Sequence, residues 1–81
     1  MVPNQSFFSE VFHSACRIVE RDCPDGYAKS YAATGLRLAD PEAQRVQMLY
    51  ILSNISKWRT ADADLIRKVF LMLSKVPGSI D

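Results

Sequence analysis

Apolar residues recur along this chain at intervals of three and four, the period of amphipathic helices. In the first such stretch, from about Ser6 to Asp22, Phe7, Phe8, Val11, Phe12, Ala15, Cys16, Ile18 and Val19 share one face. Ser9, Glu10, His13, Ser14, Arg17, Glu20 and Arg21 fill the other, and Asn4 or Ser6 is placed to cap the start. Cys23-Pro24-Asp25-Gly26 interrupts the pattern. Pro24 suits the first turn of a second helix, where its missing N–H costs nothing. Asp25 would complement that helix's positive end. This helix is expected over 24–36, with Tyr27, Ala28, Tyr31, Ala32 and Gly35 on one side. The small residues among them would let another helix approach closely.

Asp40-Pro41-Glu42 is the sharpest boundary: a capping Asp, a Pro at the first helical position and an acidic first turn. The third helix is expected over 41–56. Val46, Met48, Leu49, Tyr50, Ile51, Leu52 and Ile55 project in nearly every direction from it. A helix apolar all round is usually enclosed on several sides, which predicts a central position. Thr60 should cap a fourth helix over 61–75, with Asp62 and Asp64 at its start and Lys75 at its end. Leu65, Ile66, Val69, Phe70, Met72, Leu73 and Val76 form its expected buried stripe. Leu71 falls instead among the polar positions. No stretch has a period of two. The pattern predicts an all-α bundle of about four helices forming one domain over 1–81, with 1–5 and 77–81 loose.

Composition narrows the function classes. The chain has 81 residues, 48% hydrophobic and 23% charged, which is ordinary for a globular domain. Ten Lys/Arg against nine Asp/Glu give a net charge of +1, without the field of a dedicated nucleic-acid or membrane binder. No apolar run reaches membrane-spanning length, and Met1-Val2-Pro3-Asn4-Gln5 does not begin like a signal peptide. Cys16 and Cys23 stand seven positions apart, about 10 Å along a continuous helix, so they are read as reduced thiols. The expected location is cytoplasmic.

The candidate chemistry is thin. His13 is the single histidine, and its position on the polar face of the first helix suggests a solvated residue. His13, Cys16 and Cys23 would give three metal ligands where structural zinc takes four. Asp62 and Asp64, two apart, do not share a helix face. The glycines are isolated, so no phosphate loop is present. No enzyme, metal or cofactor is therefore expected.

Two binding readings remain. In the leading one, the third and fourth helices present a protein partner or a second copy with apolar side chains and polar anchors. Arg45, Asn54, Trp58, Arg59 and Leu71 are the candidate contacts. The ordinary alternative for Trp58 is a cap over the core, and it is the favoured one. For Arg45, Gln47, Ser53 and Asn54, hydrogen bonds that fix packing are the favoured role over partner contacts. In the second reading, Lys57, Arg59, Arg67 and Lys68 form a basic surface for nucleic acid. Against it, the start of a helix placed like a recognition helix carries Asp62 and Asp64.

From Tyr27 to Leu73 the order of residues carries a resemblance. Tyr27-Ala28, Tyr31-Ala32 and Gly35-Leu36 are followed by Arg45-Val46-Gln47, Leu49-Tyr50-Ile51-Leu52-Ser53-Asn54-Ile55 and Trp58-Arg59. This order resembles small phage- and prophage-encoded proteins of uncharacterised function. The chain departs from them after Trp58-Arg59, where Thr60-Ala61 stands in place of Gly-Glu. The resemblance implies a product working in the cytoplasm of a bacterial host, and it assigns no functional residues.

Overall fold

Three helix starts are fixed by short-range capping chemistry. The computed structural model describes residues 3–75, with side chains described from Phe7 onward. Four helices follow in order: α1 Pro3–Asp22, α2 Gly26–Gly35, α3 Pro41–Ser53 and α4 Ala61–Ser74. No strand occurs among the described residues. The Asp25 carboxylate accepts from Ala28 N–H, Asp40 from Ala43 N–H, and the Thr60 hydroxyl from Ala63 N–H. Each bond satisfies one of the amides a helix start leaves unpaired. Asp25 thus caps α2 from outside, and Pro24 precedes the helix rather than opening it.

Other boundaries shift too. α1 is already helical at Pro3, so Asn4 and Ser6 lie inside it rather than capping its start. α3 ends at Ser53, short of Ser56, because the Asn54 backbone leaves helical geometry. The expected burial of Val76 and the loose tail at 77–81 lie outside the described residues.

α1 and α3 each touch all three other helices, whereas α2 and α4 lie on opposite sides without contact. Phe8, Phe12, Ala15, Cys16, Val19 and Cys23 form the buried stripe of α1. They meet Ala28 and Ala32 of α2, Met48 and Ile51 of α3, and Ala63, Ile66, Phe70 and Leu73 of α4 in one core. The rings of Phe12 and Phe70 lie 6.1 Å apart. Gly35 supplies space rather than backbone freedom, since no positive φ occurs among the described residues. A Cβ there would stand 2.9 Å from Cys16 Sγ and 2.9 Å from Phe12 Cζ. The close α1–α2 approach predicted from small residues is present.

α3 contacts every other helix, but it is not enclosed. Gln44, Gln47, Met48 and Ile51 are its buried positions, while Val46, Leu49 and Tyr50 are about half exposed. The three neighbours cover one side of α3 and leave the opposite arc to solvent. Phe7, Leu65 and Met72, expected in buried stripes, are also exposed at the rims of their helices.

Candidate interaction surface

The inward polar residues act first as fasteners. Gln44 is fully buried; its Nε2 donates to Leu38 O at 2.8 Å, and its Oε1 accepts from Ser9 Oγ at 3.1 Å. His13 Nε2 lies 2.9 Å from the same Leu38 carbonyl. A carbonyl only accepts, so Nε2 carries the proton. The 3.5 Å approach of Gln44 Nε2 to His13 Nε2 is then two donors sharing one acceptor. His13 is therefore half-buried and tied to the α2–α3 connection, not solvated as its place on the polar face suggested. Gln47 Nε2 donates to Tyr31 O at 2.9 Å, joining α3 to α2. Sequence reasoning singled out neither Gln44 nor its role, because the acceptor comes from another segment.

Arg67 locks the α3–α4 turn. Its Nη2 donates to Ile55 O at 2.6 Å and to Trp58 O, and its Nη1 to Asp64 at 3.1 Å. The two terminal nitrogens of the guanidinium engage the carbonyls and the Asp64 carboxylate at once, which the single nitrogen of an ammonium does not match. Trp58 is buried at 3% exposure. It closes the core and is unavailable as an interface anchor. Asn54 is half-buried and donates from Nδ2 to Tyr50 O at 2.8 Å, closing its own helix.

Arg45 spans the opposite end of the α3–α4 pair. Its Nη1 donates to Ser74 O at 3.1 Å, and its guanidinium carbon lies 5.0 Å from the Phe8 ring centroid. Nε and Nη2 are buried without a hydrogen-bond partner among the described residues. Cation–π attraction and the negative end of the α4 dipole stabilise this charge. Arg45 is thus a packing residue more than a contact.

Of the residues expected at an interface, only Arg59 and Leu71 are exposed. Arg59 borders an open groove of about 470 Å³ with Ser56, Asp64 and Arg67. Of the basic set, Lys57, Arg59 and Lys68 face solvent and Arg67 is engaged.

The two thiols lie inside the fold. Cys16 and Cys23 are both buried and unbridged. Burial pushes the Cys16 thiol up to about 12, with the Glu20 carboxylate adding to the rise. A thiol so raised stays protonated and unreactive at neutral pH. Among the described residues no three His, Cys, Asp or Glu side chains group as metal ligands. No helix among them is long and apolar enough to cross a membrane.

The most distinctive surface lies on α3. Val46, Leu49 and Tyr50, 49%, 58% and 50% exposed, occupy one arc of consecutive turns. The Tyr50 ring lies 5.5 Å from that of Tyr31 on α2, and Tyr27, 73% exposed, stands one turn before Tyr31. An aromatic and aliphatic strip therefore runs from α2 onto α3. On the other flank, the Arg45–Ser74 and Arg67–Ile55 bonds set α3 and α4 antiparallel. That register brings the exposed Leu71 level with Leu49. The α3 part of this strip is built from the residues whose sequence pattern predicted enclosure. Comparison with protein-family models, with curated proteins and with solved structures gives no match for this chain.

Proposed function

We propose that this protein is a non-enzymatic interaction module whose contact surface is the outer arc of α3 with its tyrosine extension on α2. One observation carries the reading: Val46, Leu49 and Tyr50 stay about half exposed on the arc the other helices leave uncovered. Contiguous apolar patches on small soluble domains mark binding sites more often than scattered apolar residues do. Tyrosine and leucine supply contact area at low ordering cost, with polar surroundings completing the rim. The inward-facing His13, Gln44 and Cys16 are occupied in holding the fold, which supports a role without catalysis.

The nucleic-acid alternative has less support. Arg67 is committed to two backbone carbonyls and Asp64, and the exposed Asp64 borders the same groove as Arg59. The setting proposed with the leading reading, a phage- or prophage-derived product in bacterial cytoplasm, rests on the residue order from Tyr27 to Leu73.

Photo-crosslinking tests the surface. A photoreactive residue at position 46 is expected to give a protein adduct, which excess unlabelled wild-type chain competes away and the Leu49→Glu variant does not. The same probe at the exposed Ser14 of α1 should give none. Equal labelling from both positions, or none from position 46, overturns the reading.

A further inference from the structure

We propose that the outer arc of α3 receives a second copy of this chain, packed antiparallel about a two-fold axis between Leu49 and Tyr50. The proposal rests on the interaction reading above and names its occupant. The argument comes from how charge is laid out along the arc. Its middle is uncharged: Val46, Leu49, Tyr50 and Ser53. Its N-terminal end carries Asp40 and Glu42, and beyond its C-cap stand Lys57 and Arg59, all exposed. Neither Glu42, Lys57 nor Arg59 takes part in an ion pair among the described residues.

An acidic end, an apolar middle and a basic end form a sequence that is complementary to itself when reversed. Self-complementarity of this kind is what a two-fold interface requires. With the axis between Leu49 and Tyr50, Leu49 meets the partner's Tyr50, Val46 meets the partner's Ser53, and Glu42 comes opposite the partner's Lys57. The long stem of lysine spans the turn beyond Asn54. Antiparallel packing also sets the positive end of each α3 dipole beside the negative end of the other. A parallel pair would place Glu42 against the partner's Glu42 and Lys57 against the partner's Lys57, and like charges in contact disfavour a complex. The tyrosines at 27 and 31 widen the strip on one side. One helix face with this extension falls at the small end of specific interfaces, so the dimer is weak and depends on concentration.

Sedimentation equilibrium of the full chain over a wide concentration range tests the proposal, with circular dichroism confirming that each variant keeps its helices. The wild type is expected to self-associate, and Leu49→Glu to weaken association at least tenfold. Glu42→Lys and Lys57→Glu should each weaken it several-fold. An equimolar mixture of those two variants should recover wild-type association as a heterodimer, seen by native mass spectrometry. In that mixture both charge pairs are complementary again; a parallel pair would instead leave each single variant no weaker than the wild type and make the mixture associate more tightly than it. A wild type that stays monomeric at every concentration overturns the proposal, as does a mixture that recovers nothing. If the wild type is monomeric while position 46 still crosslinks to another protein, the self-association fails and the interaction reading stands. If association occurs but ignores Leu49→Glu, and position 46 gives no adduct, both fail.

Discussion

Replacing Gly35 by alanine sets two effects of opposite sign against each other, and the structure decides between them. Alanine favours the helix by up to about 0.5–1 kcal/mol, chiefly by restricting the unfolded chain. The added Cβ at position 35 would stand 2.9 Å from both Cys16 Sγ and Phe12 Cζ, about half an ångström inside ordinary contact. Neither neighbour gives easily. Both are fully buried, the thiol swings only about one bond, and the Phe12 ring lies beside Phe70. Relief must come from α1 and α2 moving apart, and overpacking of this kind costs about 1–3 kcal/mol. The net expectation is a loss of about 1–2 kcal/mol, or about 4–16 °C in Tm for a domain of this size. Gly26→Ala is the internal control. A Cβ there meets nothing within 4 Å, so the helix-favouring effect acts alone and raises stability by about 0.4–1 kcal/mol. Urea unfolding followed by far-ultraviolet circular dichroism measures both, with an unchanged m-value showing that the unfolded state is comparable. Two variants that shift stability in the same direction would refute the close α1–α2 approach.

Three further outcomes follow from the fasteners and the buried thiol. Arg67→Ala removes the donor to Ile55 O and Trp58 O and should cost about 1.5–3 kcal/mol in urea unfolding; Arg67→Lys should recover only part, because its one nitrogen cannot also replace the separate Nη1 bond to Asp64. Gln44→Leu leaves His13 as the remaining donor to Leu38 O and should cost about 1–2 kcal/mol, with accelerated amide exchange at residues 38–41. For Cys16, burial holds the folded-state value near 12, against 9.0 for an exposed thiol. The unfolded chain therefore loses this proton first as pH rises. Stability from this group is complete below about pH 9 and is lost progressively towards pH 12. A Cys16→Ser variant, which cannot ionise there, should show a shallower decline in unfolding free energy across that window; an identical slope would contradict the burial.

Local chemistry made much of the architecture legible. Asp40 and Thr60 announce the starts of α3 and α4 because a cap acts over three residues, from side-chain oxygen to a nearby amide. Asp25 does the same for α2, and there the neighbouring Pro24 set the expected start two positions too early. The buried stripe of α1 and the small face of α2 followed from helical period, which fixes which residues share a side. Period does not say what lies opposite that side. α3 is apolar in most directions, yet its neighbours cover one side, so Val46, Leu49 and Tyr50 were left outside. Only the assembled bundle decided that.

The same limit governs the polar residues. Gln44 and Gln47 are indistinguishable in sequence from surface glutamines. Their burial depends on the carbonyls of Leu38 and Tyr31, which chain reversal brings within reach. His13 and Arg67 likewise found acceptors 25 and 12 positions away. The sequence by itself determined four helices, where α3 and α4 begin, and which residues were available for a core. The tertiary structure decided which apolar residues that core used and which polar ones it recruited. The physical reason is that capping and period are short-range properties, whereas burial and hydrogen-bond satisfaction belong to whatever segment arrives opposite.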